Sequence, residues 1–183
     1  EVYAPYNVSV VTVDPGANVL HHEAIVAGNA SELGLTGVLG IAPVEGCSPA
    51  NNVISYSFGN MYPPSQVLEL CSTVAQESAH SYGLDHELDC SDPMTYLNSC
   101  GQKFYRDKLA SCGEFDERAC FCGGNRQNSH SVLFSVFGAG TLPAPPTVNI
   151  TVPANNATVS NGFSVFVESF HKRGLQKIEL YLN

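Results

Sequence analysis

The stretch that decides the fold runs from residue 76 to residue 86 and reads Gln76-Glu77-Ser78-Ala79-His80-Ser81-Tyr82-Gly83-Leu84-Asp85-His86. Gln76 and His80 are four positions apart, so on a helix their side chains project from one face, one turn apart. Two such side chains can bind the same metal ion, with Glu77 beside them as a proton acceptor. Gly83 can adopt the left-handed conformation that ends a helix, after which the chain can turn back and bring His86 to the same ion.

A second motif follows closely and reads Asp92-Pro93-Met94-Thr95-Tyr96. Together the two segments resemble the H-E-x-x-H-x-x-G-x-x-H signature and the downstream Met-turn of the metzincin zinc peptidases. Every position of the signature is matched except the first, where Gln76 stands in place of a His. The resemblance implies a zinc ion bound by the imidazole nitrogens of His80 and His86, with Gln76 in the first ligand position.

The resemblance also implies roles for the neighbouring side chains. Glu77 would be the general base that takes a proton from the water attacking a peptide carbonyl, which the metal polarises. Met94 would lie beneath the site as an apolar floor and not as a ligand. Tyr96 stands where some metzincins use a tyrosine hydroxyl as an extra ligand or transition-state donor; the alternative is a tyrosine packed against the turn. The substrate would be a protein or peptide.

Gln76 leaves two functions open. Its side-chain carbonyl is a weaker and harder donor than imidazole, and even changes around metal ligands cost roughly 10- to 100-fold in affinity. We therefore predict weaker zinc binding than at an H-E-x-x-H site, with low peptidase activity that depends on Glu77. The first function is a secreted zinc metalloendopeptidase of metzincin type. The second is a catalytically inactive metzincin-like scaffold that serves as an extracellular or cell-surface structural or adhesion module.

Composition limits the partners and the compartment. The chain has 183 residues and a net charge of -9, which argues against nucleic acid and anionic membranes as partners. No apolar run is long enough to span a bilayer. Seven cysteines indicate an oxidising compartment, and thus a secreted, extracellular or cell-surface protein. The plausible bridges are Cys47 with Cys71, Cys90 with Cys100, and Cys112 with either Cys120 or Cys122, which leaves one cysteine over.

The fold class is predicted from the order of elements before the motif. Alternating and Val-rich segments predict strands at 7–13, 22–27, 37–42 and 52–58, followed by a helix over 65–82. The expected core face of this helix carries apolar residues at helical spacing: Val67, Leu70, Cys71, Val74, Ala75 and Ala79. The resemblance implies an α/β fold, with a twisted mixed sheet, a central active-site helix and a small disulfide-rich lower subdomain.

Metzincins have an additional strand and a long helix before these elements, and that strand lies inside the sheet. We expect both to be missing from residues 1–137, the metzincin-like domain. The sheet should then be completed by polypeptide outside this numbering, either an earlier part of the same product or a strand from a partner, because unpaired backbone groups in a sheet are costly.

Two further segments follow this domain. Residues 129–137 read as a short apolar helix, and residues 138–146 form a linker rich in Pro and Gly. From residue 147 to 183 the pattern resembles the start of a bacterial immunoglobulin-like domain, with strands expected at 148–152, 163–167 and 178–182. Since about seven strands close such a sandwich, we expect this β-sandwich to be partial.

Overall fold

The computed structural model describes residues 2–44, 46–141, 147–170 and 178–180. The chain divides into two compact units, Val2–Gly140 and Thr141–Asn183. Within these described ranges the first unit combines two α-helices with two small sheets, and the second contains a two-stranded sheet. The predicted α/β class is confirmed at this coarse level, while the metzincin-like arrangement stays a prediction.

The larger sheet of the first unit has three strands: β1 (Glu23–Val26), β2 (Gly40–Ile41) and β3 (Ile54–Ser57). β3 lies in the middle, parallel to β1 and antiparallel to β2. The sheet is therefore mixed, and its strands fall inside the predicted ranges 22–27, 37–42 and 52–58. Alternate residues of β3, Ser55 and Ser57, are buried, and helix α1 packs against this strand.

Helix α1 (Val67–His80) follows a short 3-10 turn at Pro64–Gln66. Its second half is buried from Thr73 onward, apart from the half-buried Val74, but its first half is exposed except for the half-buried Leu70 and Ser72. Val67 is 58% exposed and Cys71 is also exposed, so placing these two residues in the core was wrong. A helix of 14 residues extends about 21 Å, whereas a strand of four residues extends only about 13 Å. The sheet is too short to cover the whole helix.

The strand predicted at 7–13 is also wrong. Tyr6 makes an isolated bridge to Ala139, but residues 7–13 form no strand, and Val10 is 78% exposed. β-Branched residues favour a strand only where a neighbouring strand is present to pair with them, and none of the described strands pairs with 7–13. In the described ranges β1 pairs with β3 alone, and completion of the sheet from outside the numbering stays a prediction.

The core of the first unit lies between α1, the loop after it and a second helix. Its buried members are Tyr6, Ala75, Ala79, Leu84, Met94, Tyr105 and Leu133. Leu133 lies on α2 (Ser129–Phe137), which has the predicted bounds. Asn128 caps this helix, because its side-chain oxygen accepts from the Ser131 N–H at 2.8 Å. Before α2, β4 (Ala110–Ser111) and β5 (Arg126–Gln127) pair antiparallel.

Three disulfides link the loops of this unit. The predicted bridges Cys90–Cys100 and Cys112–Cys120 are confirmed. The expected pairing of Cys47 with Cys71 is wrong, because Cys47 bonds to Cys122, with the two Cα atoms 5.4 Å apart, and Cys71 is the free cysteine. Cys71 lies on the exposed half of α1, whereas the fold brings Cys47 and Cys122 together across 75 positions. Three disulfides are compatible with an extracellular protein.

The second unit contains β6 (Thr147–Val152) and β7 (Phe166–Phe170), which pair antiparallel. β6 matches the strand predicted at 148–152, and β7 begins three residues after the start of the range predicted at 163–167. Residues 178–180 have no regular structure. The rest of the strand predicted at 178–182 lies outside the described residues, as do residues 142–146 of the linker. The immunoglobulin-like sandwich stays a prediction.

Candidate metal centre

The turn after α1 places two histidines opposite each other. Gly83 has a φ of 90°, in the left-handed region that glycine adopts without a steric cost. Its N–H donates to the carbonyl of His80, the last residue of α1, at 3.0 Å. The chain reverses here, and His86 returns to the end of the helix with its ring centroid 4.6 Å from that of His80.

The Nε2 atoms of His80 and His86 face each other at 3.1 Å. The Nδ1 atom of each ring already has a partner: Leu84 O lies 2.7 Å from His80 Nδ1, and Glu114 Oε1 lies 2.9 Å from His86 Nδ1. Because carbonyl and carboxylate oxygens accept hydrogen bonds, both Nδ1 atoms carry the proton and donate it. In the neutral rings, both Nε2 atoms are left as bare lone pairs pointing at each other.

Two lone pairs this close repel each other unless a positive charge lies between them, and either a proton or a metal ion can supply it. A tetrahedral zinc ion with bonds of about 2.1 Å holds two nitrogens roughly 3.4 Å apart, close to the separation of 3.1 Å found here. Burial, reinforced by the neighbouring His86, lowers the pKa of His80 to about 4, so this ring is neutral at neutral pH. The outer hydrogen bonds are those that metal-binding histidines ordinarily make. The pair therefore fits a divalent cation.

Gln76 lies one turn before His80 on the same side of α1 and is 7% exposed. Its amide nitrogen Nε2 is buried without a hydrogen-bond partner among the described residues. A buried polar atom without a hydrogen bond costs free energy. The oxygen and the nitrogen of a side-chain amide are told apart only by their hydrogen-bond partners. A metal ion is one partner that the amide oxygen could take. Two imidazoles and an amide oxygen form a donor set that fits zinc more weakly than three imidazoles.

Glu77 rests against the backbone of the edge strand. Its side chain is 9% exposed, and burial raises the pKa of its carboxyl group to about 7. A Cβ atom added to Gly40 on β2 would lie 2.5 Å from Glu77 Cγ and 2.7 Å from Cδ, closer than any side chain tolerates. The absence of a side chain at position 40 therefore leaves the space that the Glu77 carboxyl group occupies.

Gln76 and Glu77 line a groove of about 790 Å³ between α1, the edge of the sheet and the turn after Asp92. Residues 37–40 form one wall of this groove, and Thr95, Tyr96 and Phe115 belong to the other. Gln76 and Glu77 are therefore accessible from the groove, whereas His80 and His86 are not among the residues that line it.

The turn that carries Met94 is held by hydrogen bonds on both sides. The Met94 N–H donates to Asp92 Oδ1 at 2.9 Å, and the Met94 carbonyl accepts from the Glu87 N–H at 2.8 Å. Asp92 Oδ2 accepts from the Arg106 N–H at 2.7 Å and from the hydroxyl of Ser129. Met94 itself is fully buried and packs in the core with Ala79 and Leu84. The hydrogen bonds and the core packing together hold the methionine in place.

Tyr96 packs on one of the histidines. Its ring centroid lies 4.4 Å from that of His86, and 43% of the residue is exposed. Burial, together with the negative charges of Glu77 and Glu114, raises the pKa of its hydroxyl group, so the tyrosine is a hydrogen-bond donor at neutral pH. This position agrees with a packing role and with a donor role, since the residue also lines the groove.

Sequence reasoning did not identify Glu114 and Arg118, which hold the ring of His86 through hydrogen bonds. Glu114, which accepts from His86, is bonded by Arg118 through Nη2 at 2.6 Å and Nε at 3.0 Å. Arg118 also bonds both oxygens of Asp85, at 2.6 and 2.7 Å. The hydrogen bonds from Arg118 lower the pKa of Glu114 to about 2. No local pattern marks these residues, because Glu114 is 28 positions from His86 and comes close only through the fold.

Asp85, His86 and Glu114 have ligand atoms within 4.8 Å of one another, but the guanidinium of Arg118 already forms ion pairs with both carboxylates. A metal ion there would have to displace Arg118, so this cluster is better described as the support of His86. The predicted site residues Gln76, Glu77, His80, His86, Met94 and Tyr96 all lie around one end of α1.

The chain matches no protein-family model, no curated protein and no solved structure. None of the helices in the described ranges has the length and apolar character that crossing a bilayer requires.

Proposed function

We propose that this chain is a secreted zinc metalloendopeptidase of metzincin type with Gln76 in the first ligand position. One observation carries the proposal: the Nε2 atoms of His80 and His86 converge at 3.1 Å while both Nδ1 atoms have oxygen partners. In this proposal zinc is held by these two nitrogens and by the amide oxygen of Gln76. When bound, zinc acts as a Lewis acid that polarises a carbonyl and lowers the pKa of water.

The side chains around the pair fit the chemistry of peptide hydrolysis. Glu77 is buried beside the proposed ligands, and a pKa of about 7 suits a group that accepts a proton from water and then delivers it to the leaving amine. Tyr96 stays protonated and can donate a hydrogen bond to the developing negative charge on the substrate. Peptidase activity therefore depends first on Glu77.

The groove fits an extended peptide as the substrate. Among the described strands β2 pairs with β3 alone, and residues 37–40, which include the start of β2, line the groove. Backbone groups along such an edge can bond an extended segment as an additional strand. This mode selects for polypeptides, because it reads main-chain N–H and C=O groups.

The second candidate, a scaffold without catalytic activity, is favoured by Gln76. Replacing a strong imidazole ligand with an amide weakens the binding of zinc, and a domain without metal would keep only the groove as a binding surface. In this case the protein would bind extracellular proteins or cell surfaces without cleaving them.

Zinc content and peptide hydrolysis distinguish the two candidates. Both should be measured for the purified parent, Gln76→His, Glu77→Ala and His80→Ala. We expect zinc in the parent, tighter zinc binding and faster cleavage in Gln76→His, and full zinc content without cleavage in Glu77→Ala. His80→Ala should lose zinc. If neither the parent nor Gln76→His takes up zinc or cleaves peptides, the enzyme is ruled out and the scaffold remains.

A further inference from the structure

We propose that Glu114 is a positioning residue that keeps His86 in the tautomer able to bind a cation. This inference rests on the proposed function, since it assigns a role around the same metal centre. Its basis is the hydrogen bond of 2.9 Å from His86 Nδ1 to Glu114 Oε1, together with the position of His86 Nε2 opposite His80 Nε2.

The histidine pair has an alternative arrangement that would close the site. His80 cannot change its tautomer without losing the bond from Nδ1 to the Leu84 carbonyl. If His86 carried its proton on Nε2, that N–H could donate to the bare Nε2 of His80 over the same 3.1 Å. The two rings would then satisfy each other, and no lone pair would be available to a metal ion.

Glu114 opposes this closed arrangement. With a carboxylate 2.9 Å from Nδ1, the proton of His86 is stabilised on the outer nitrogen by a charge-assisted hydrogen bond. The same hydrogen bond orients the imidazole ring and increases its basicity toward a metal. Glu114 therefore favours the arrangement in which both rings carry their proton on Nδ1 and both Nε2 atoms can bind a cation.

The carboxylate of Glu114 is itself held in place. Arg118 bonds both of its oxygens and reaches across to Asp85, and the disulfide Cys112–Cys120 closes the loop that carries both residues. Asp85 in turn accepts from the His86 N–H at 2.7 Å. The loop from 112 to 120 thus holds His86 directly through Glu114 and indirectly through the bonds from Arg118 to Asp85. This gives the disulfide-closed loop a role at the metal centre.

The matched control is another glutamate in the same loop. Glu117 accepts hydrogen bonds from Ser111 at 3.0 Å and from Asn125 at 3.2 Å, and none of its side-chain bonds reaches a histidine. Glu114→Ala and Glu117→Ala therefore remove the same chemical group from one loop. Glu114→Gln is the conservative variant, because its amide oxygen can still accept from His86 Nδ1.

The first measurement is the tautomer of His86 in the metal-free chain. Nitrogen-15 NMR of the imidazoles in alkaline buffer should find the proton on Nδ1 in the parent, in Glu114→Gln and in Glu117→Ala. In Glu114→Ala the proton should move to Nε2 in a large fraction of the molecules. If His86 keeps its proton on Nδ1 in Glu114→Ala, or carries it on Nε2 in the parent, the inference is overturned.

The second measurement is zinc affinity by competition with a chelator. We expect a loss of about 10- to 100-fold for Glu114→Ala, a smaller loss for Glu114→Gln, and no change for Glu117→Ala. Equal affinity in Glu114→Ala and Glu117→Ala would overturn the positioning role. If no variant binds zinc but the tautomer of His86 still depends on Glu114, the proposed function fails while the positioning role stands.

Discussion

Replacing Gly40 with Ala tests whether the peptidase uses Glu77 in the position found here. The φ of Gly40 is not in the left-handed region, so alanine fits the backbone conformation of β2. The nearest atoms to the added Cβ all belong to Glu77: Cγ at 2.5 Å, and Cδ and Oε1 at 2.7 Å. The substitution therefore acts on the general base and leaves the proposed ligands untouched.

The size of the effect follows from this contact. Non-bonded carbon atoms need about 3.5 Å, so a Glu77 side chain that starts 2.5 Å from the new Cβ must move by roughly 1 Å. A reacting group displaced by about 1 Å costs on the order of 100-fold in rate, which corresponds to about 2.7 kcal/mol of transition-state free energy. We expect kcat/KM for a peptide to fall by this factor while zinc content stays at the level of the parent.

The control is Gly59→Ala. Gly59 also has no positive φ, and the nearest atom to its added Cβ is Val26 Cγ1 at 3.7 Å, an ordinary contact. This variant should retain the kcat/KM of the parent. In a Glu77→Gln background, Gly40→Ala should cause no further loss, since two changes that act through one group are not additive. Full activity in Gly40→Ala, or an equal loss on top of Glu77→Gln, would refute the reasoning.

Two further predictions concern stability and the cysteines. Burial raises the pKa of Glu77 from 4.5 to about 7, so the folded metal-free chain should lose stability as pH rises through this range. Urea unfolding of Glu77→Gln should show no such loss from residue 77. If the difference in unfolding free energy between Glu77→Gln and the parent does not grow with pH, the prediction is contradicted. Alkylation of the native chain should modify Cys71 alone, and replacing both Cys47 and Cys122 with Ser should lower the unfolding free energy by roughly 2–4 kcal/mol. Cys71→Ser should change it little; an equal loss there would contradict the disulfide assignment.

Local patterns predicted the elements around the candidate site well. The helical spacing before His80 and the glycine at position 83 predicted a helix over 65–82, which extends two residues beyond α1 at each end, and the short apolar run at 129–137 predicted α2 with the bounds observed. Both predictions rest on interactions between residues within about four positions of each other. The strand predicted at 7–13 was wrong because a strand depends on a pairing partner far away in the chain, which no propensity reports.

The sequence by itself determined the list of chemical groups at the site and their order along α1, because helix geometry converts a spacing of four residues into a shared face. Only the tertiary structure decided which distant groups bond to them or pack against them. Glu114 meets His86 across 28 positions, Cys47 bonds Cys122 across 75, and Gly40 on a separate strand leaves the space for Glu77. These contacts join segments whose approach depends on the packing of the whole unit, so no short pattern in the sequence could contain them.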